Sequence, residues 1–466
     1  MKKTTHLSIK IIYFTIYFVI GLSMVYKQPF GNPPDEYNRY LIPQYIAGHG
    51  TLPNGYDESI RIPGYGFSYG FQPILPYMLQ GYTMRFVDLF TDSETTLLYT
   101  ARLVDFCLGL LMAAVVLRLS RILFSDKRLQ YLFSFLVTFL PQSIFVHTYV
   151  NTDSCCMLSI TIMLYGLIKG LKDHFSYRSC IYLSIGIILC ALSYYNAYGF
   201  ILSCILLFIA HYVSFIANKP HLDVIPFLKK GCFISVIVLA GISWWFIRSY
   251  FLYDGDILGL TSRDICGSLY ALPEYHPDTR QTFQNQGYSV WDMLTKTSFV
   301  NLSILSFIGI YGPMTIVTSI WIYRFYKYFF LIVLLACIFL QGKQYYVKEK
   351  PQRKWMEFFF HGNMIFCMLM PAVLSFYYSY TTDYQPQGRY ILPMLIPFCY
   401  YCIRGLEKGL LLFFHIVNKK KTISVKSQSK FTTYVCVLLC CAIIISLFVT
   451  VFGYAFPYYE ANPIAP

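Results

Sequence analysis

Apolar runs of bilayer length recur along the chain, separated by short polar turns, and this pattern outweighs every other feature of the sequence. A helix crosses a membrane with about 20 consecutive apolar residues. Such runs predict spans at 8–25, 97–117, 130–150, 154–170, 180–195, 197–217, 231–250, 321–341, 356–377, 390–410 and 431–453. The expected fold is an all-α polytopic membrane protein, one domain over residues 1–466, with about eleven spans and a range of ten to twelve. Two stretches strain this map. Residues 297–340 are apolar throughout yet must cross once, which reads as an interfacial or re-entrant segment over Phe299–Pro313, broken by Gly309, Gly312 and Pro313. Around Ser193–Ala197 two spans must turn almost at once. The opening Met-Lys-Lys and its apolar run resemble a signal peptide, but no small-x-small site follows and the run continues to Met24, so an uncleaved first span is expected.

Composition agrees: 56% of the 466 residues are hydrophobic and 13% charged, against roughly a quarter charged in soluble domains. The net charge of +14 is a matter of topology. Of 37 Lys and Arg, 25 fall on the segments that share a side with the N-terminus, while 17 of 23 acids fall on the other. Basic segments stay inside, so the N-terminus is expected inside, the C-terminus outside, and no nucleic acid is needed as a partner. Most of the 15 cysteines lie in spans, which argues against a disulfide scaffold. The nine histidines lack metal-ligand spacing, and no P-loop, GxGxxG, HExxH or nucleophile elbow is present.

The polar residues are invested in two long outer loops, 26–96 and 251–300, with a short outer tail at 454–466. The first loop contains Pro34-Asp35-Glu36 before an apolar stretch, which predicts an amphipathic helix beginning at Pro34 and lying along the outer face. Helix capping alone would explain Asp35 and Glu36. The functional reading is a carboxylate held ionised at the membrane surface, acting as a general base or ligating a divalent cation. Arg39 stands four residues on and is positioned to pair with Asp35. Further ionisable groups map to the same outer level: Arg102, Asp153 beside Asn151, Arg248, Lys296, and Arg389 in the run Gln387-Gly388-Arg389-Tyr390. Snorkelling to headgroups is the plain reading of Arg102 and Arg248. Gly388 leaves the backbone at Arg389 free to approach a ligand. A carboxylate and several arginines at one depth suit a lipid phosphate, which arginine binds bidentately.

Five stretches together resemble the GT-C class of integral-membrane glycosyltransferases, in the bacterial branch related to protein mannosyltransferases and aminoarabinose transferases. They are NPPDEYNRY (32–40), LLYTARLVDFCLGLL (97–111), LPQSIFVHTYVNTDS (140–154), WWFIRSYFLYDGDILGL (244–260) and YQPQGRYILPMLIP (384–397). The resemblance implies a transferase that moves a sugar, with inversion, from a polyprenyl-phosphate donor to an envelope glycan, lipid or protein on the outer face of a bacterial cytoplasmic membrane. It implies Asp35 as general base or metal ligand, with Glu36 able to substitute. It implies Arg389, Arg248 and Arg102 on the donor phosphate; Lys296, Asn151, Asp153, Tyr390 and Gln387 are the further candidates for substrate binding. No cofactor is expected; a divalent cation at Asp35 and Glu36 stays open. Relatives often carry a large soluble domain after the last span, and here only Gly453–Pro466 follow it. Two other functions compete. An oligosaccharide polymerase or ligase should need a large late outer loop, whereas Tyr378–Arg389 is short. A lipid flippase or transporter should survive loss of Asp35 and carry its polar groups near the midplane.

Overall fold

The computed structural model describes residues 3–216, 219–340, 351–420 and 424–463. The basic segment expected at 342–354 lies largely outside the described residues, as does the end of the tail. The chain is helical almost throughout. Its helices are α1 (Lys3–Lys27), α2 (Glu36–His49), α3 (Leu75–Asp88), α4 (Glu94–Leu123), α5 (Lys127–Phe139), α6 (Pro141–Phe145), α7 (Asp153–Asp173), α8 (Tyr177–Ala191), α9 (Tyr198–His211), α10 (Val224–Leu252), α11 (Leu260–Tyr270) and α12 (Val290–Lys296). There follow α13 (Phe299–Gly309), α14 (Ile320–Phe339), α15 (Pro351–Thr381), α16 (Gly388–Ile391), α17 (Leu395–Lys420), α18 (Val425–Phe448) and α19 (Phe456–Ala461). Two small hairpins complete it: β1 (Val213–Ile216) with β2 (Lys219–Leu222), and β3 (Ile310–Tyr311) with β4 (Ile316–Val317).

Each expected span holds a helix, and among the described residues seven are long and apolar enough to cross a bilayer: α1, α4, α7, α10, α14, α15 and the continuous rod from α18 through a π-turn into α19. The tail is therefore helical to Ala461. The expected spans 130–150 and 197–217 are corrected. The first breaks at Leu140, which is extended, because Pro141 has no N–H to continue α5 and instead opens α6. The second stops at His211 and gives way to the first hairpin.

Helix α7 is the centre of the bundle, packed on α8 and α4. Close approach to α8 depends on glycine: a Cβ at Gly166 would lie 2.5 Å from the backbone nitrogen of Leu183. The outward faces carry exposed Leu111, Leu239, Ile332 and Leu438, as expected of surfaces facing lipid. Phe299–Gly309 is a helix followed by the hairpin around Gly312 and Pro313, the expected interruption before α14. Between α1 and α4, α2 and α3 pack together over α4, with Arg39, Tyr40, Ile42 and Ile46 of α2 buried.

Candidate active site

Helix α2 begins at Glu36, two residues later than expected. Asp35 occupies the cap position with φ 60, in the left-handed region, and its side chain makes no capping hydrogen bond. The carboxylate turns instead to Arg389, whose Nη2 donates to Oδ2, while Nη1 donates to the carbonyl of Pro34 at 3.2 Å. Arg39 Nη2 stands 3.9 Å from the same oxygen, completing the expected pairing four residues on. The capping explanation of Asp35 is thus replaced by one in which a distant arginine draws it. Burial pushes the Asp35 carboxyl up, but Arg389 and then Arg39 more than reverse this, holding it below the ordinary carboxylate value. Its side chain is 31% exposed, against 1% for Arg389. The acid is reachable from outside while its arginine is not.

Glu36 serves a different purpose. It is wholly buried and bidentate to Arg102, with Nε to Oε1 at 2.7 Å and Nη2 to Oε2 at 2.6 Å. The backbone N–H groups of Val150 and Gly31 donate to the same two oxygens. Arg102 spends its other N–H groups on the carbonyls of Val25, Gln28 and Pro29. Two expectations are corrected here. Glu36 has no free oxygen with which to replace Asp35 or to share a cation with it, and Arg102 has no donor left for a phosphate. The pair ties the end of α1, the start of α2 and the turn before α7 to α4.

Arg39 is the residue the sequence reading undervalued. Its Nη1 donates to Thr152 Oγ1 at 2.9 Å and to the Tyr77 hydroxyl at 3.4 Å, and its guanidinium stacks over Tyr69 at 5.2 Å. The buried Nε of Arg39 and Asp153 Oδ2 have no hydrogen-bond partner, and the Tyr149 hydroxyl lies beside Arg389.

The other candidates are placed as follows. Tyr390 accepts from Arg389 Nη2 at 3.1 Å and donates to Gln385 Oε1. Gln387 follows Gln385 in this loop with its Oε1 buried and unpartnered. Asn151 ties down the turn into α7, donating to the carbonyls of Val146 and Tyr149 and accepting from the Ser154 N–H. Beside it, Asp105 accepts from Gln80 Nε2 at 2.7 Å and from Ser154, locking α3, α4 and α7 together. Arg248 donates to the carbonyl of Pro53 at 2.7 Å and lies over Trp245, so it anchors the first loop to α10. Lys296 is exposed and pairs with Asp292 at 2.6 Å within α12. Neither Arg248 nor Lys296 makes a described contact with Asp35. Gly388 also differs from expectation: its missing side chain admits the backbone of α13, and its N–H donates to Ser306 Oγ at 2.9 Å. Among the described residues no group of three or more His, Cys, Asp or Glu side chains is arranged to hold a metal ion.

No family model and no curated protein matches the chain. Solved structures do. An oligosaccharyltransferase from Archaeoglobus fulgidus in the apo form superposes with a TM-score of 0.52 at 16% identity, over 96% of this chain and 56% of that one. AglB of the same archaeon, in complex with an inhibitory peptide and a dolichol-phosphate, gives 0.52 at 15% identity over 96% and 55%. ArnT from Cupriavidus metallidurans bound to undecaprenyl phosphate gives 0.52 at 11% identity over 99% and 73%. The chain spans just over half the length of the archaeal structures. At these identities the likeness is one of fold, and the fold is the GT-C bundle that the sequence resembles.

Proposed function

We propose that this protein is a membrane glycosyltransferase that moves a sugar from a polyprenyl-phosphate donor to a cell-envelope glycan, lipid or protein at the outer face of a bacterial cytoplasmic membrane, its N-terminus inside. The observation that carries the reading is the Asp35 carboxylate, ionised and partly exposed, held against the buried guanidinium groups of Arg389 and Arg39. Structures of the same fold hold dolichol-phosphate and undecaprenyl phosphate, which supports a polyprenyl phosphate as the donor here.

In this mechanism the acceptor hydroxyl attacks the sugar C1 from the side opposite the phosphate. The bond from C1 to the phosphate oxygen breaks, and its electron pair leaves with the polyprenyl phosphate. The negative charge developing on that leaving group is stabilised by Arg389 and Arg39. Asp35 orients the acceptor O–H and takes its proton. A carboxylate held below its usual pKa is a weak base, so the proton moves late, when bond formation to C1 has made the hydroxyl acidic. Arg389 has two claimants, Asp35 and the donor phosphate. Binding of the phosphate loosens its hold on Asp35 and strengthens the acid as a base. With Glu36 committed to Arg102, the transfer is proposed to need no resident metal.

The test is turnover of the purified protein in detergent with a panel of polyprenyl-phosphate sugars, comparing wild type with Asp35→Asn. Polyprenyl phosphate released by the wild type alone supports the reading. Equal release by both removes Asp35 from catalysis, and lipid binding without release from any donor favours a flippase.

A further inference from the structure

At the end of the bundle opposite Asp35, the start of α1, the end of α4 and the start of α5 enclose a cavity of about 240 Å³ walled by His6, Lys10, Ser120, Arg121, Lys127 and Tyr131 among others, with no carboxylate in its lining. Asp126, the nearest acid in sequence, is taken by Arg128. His6 holds one of the cations in place: its Nε2 lies 3.1 Å from Lys127 Nζ and its Nδ1 3.0 Å from the Tyr131 hydroxyl, against which the ring stacks. An ammonium has no lone pair, so Nε2 accepts and the ring is neutral, its proton on Nδ1. Three cations thus face one cavity.

Its depth identifies the surroundings. Arg102 and Arg121 are nineteen positions apart on α4, about 28 Å at a rise of ~1.5 Å per residue. That is close to the ~30 Å of a hydrocarbon core, so the cavity lies at headgroup level in the leaflet opposite the Asp35 site. Lys10 also adjoins an open apolar stripe on α1 formed by Leu7, Ile11, Phe14, Phe18 and Val19. From Leu7 to Val19 is about 18 Å along the helix, near the depth of one leaflet.

We propose that the cavity and this stripe form one lipid site: the phosphate of an anionic phospholipid sits among Lys10, Arg121 and Lys127, and an acyl chain lies along the exposed stripe on α1. The charges supply selectivity for an anionic headgroup, and the apolar stripe that starts at Lys10 favours a lipid over a free phosphate ion.

The experiment is native mass spectrometry of the full-length protein titrated with phosphatidylglycerol or phosphatidylcholine, in wild type and in the triple variant Lys10→Gln, Arg121→Gln, Lys127→Gln. A charge near the surface is worth about a factor of five in affinity, so the triple variant is expected to lose about a hundredfold for phosphatidylglycerol and to match the wild type for phosphatidylcholine. Lys127→Arg keeps the charge and should keep binding, which separates the site from a folding defect. In a second arm, millimolar inorganic phosphate should leave the bound lipid in place, while Phe18→Gln on the exposed stripe should weaken it severalfold. Equal binding by wild type and triple variant, no preference between the lipids, or displacement by inorganic phosphate would each overturn the proposal, the last in favour of a soluble anion.

Discussion

Asp35 and Glu36 are adjacent in sequence, yet their carboxylates go to different arginines from opposite parts of the chain. Asp35 turns to Arg389 and stays in reach of the outside; Glu36 turns to Arg102 and is sealed from it. The left-handed backbone at Asp35 makes this divergence possible, since a helical conformation there would send both side chains along the first turn of α2.

The Glu36–Arg102 pair is predicted to support folding and not the reaction. Removing one partner of a buried pair costs about 3–5 kcal/mol because the other charge is left uncompensated. Glu36→Gln and Arg102→Ala should therefore lower the detergent melting temperature and the yield of monodisperse protein. Arg102→Lys should fail to rescue, since an ammonium cannot reproduce five directed bonds to a carboxylate and three carbonyls. Asp35→Asn should lower the melting temperature less, because Asp35 is 31% exposed and its pair is partly screened by solvent.

Asp35 has a pKa depressed by its arginines, and the sign of its effect follows. Where the folded pKa lies below the unfolded one, the ion pair stabilises at pH above the unfolded value of ~3.9, and that contribution is lost as pH falls through the depressed value. Asp35→Asn should therefore lower stability at neutral pH and flatten the acid limb of the profile, the two proteins converging as pH falls below about 4. Asparagine suits this test because it tolerates the left-handed conformation. Alanine would add about 1–2 kcal/mol of backbone strain.

Arg39 and Arg389 are predicted to act on the donor. Arg39→Lys and Arg389→Lys keep the charge and lose the planar fork, so donor KM should rise about tenfold or more, the worth of one charged hydrogen bond. The acceptor KM should change much less. A matching rise for both substrates would point to general collapse of the site.

Gly388 is predicted to be intolerant of any side chain. A Cβ there would sit 2.0 Å from the backbone nitrogen of Phe307, so the loop would have to part from α13 and carry Arg389 away from Asp35. Gly388→Ala should reduce kcat/KM by at least about tenfold, the effect expected of a small displacement at a reacting centre. Gly362→Ala on α15 meets nothing within 4 Å and should be silent.

Much of this architecture is legible in the sequence because bilayer thickness is a strong constraint on apolar run length. The re-entrant break at Gly309–Pro313 and the tight turn at Ser193–Ala197 both carry local signals. Pro141 also signals the break after α5, although hydropathy alone runs across it. The site is less legible. That Asp35 forgoes capping depends on Arg389, and that Glu36 is unavailable depends on Arg102, 66 positions away. Local pattern marks these residues as polar and outer, and cannot choose among their partners. Arg39 carries a signal, its spacing from Asp35, but the orphaned Nε and the contacts to Tyr77 and Thr152 arise only from packing.

The contact between Asp35 and Arg389 joins positions 354 residues apart. At a synthesis rate of ~5–20 residues per second, the first loop waits roughly 20 to 70 s before its distant arginine is made. Through that interval the acid has only Arg39 as a counterion. A chain arrested before position 389 thus presents Asp35 without the guanidinium that holds its carboxylate.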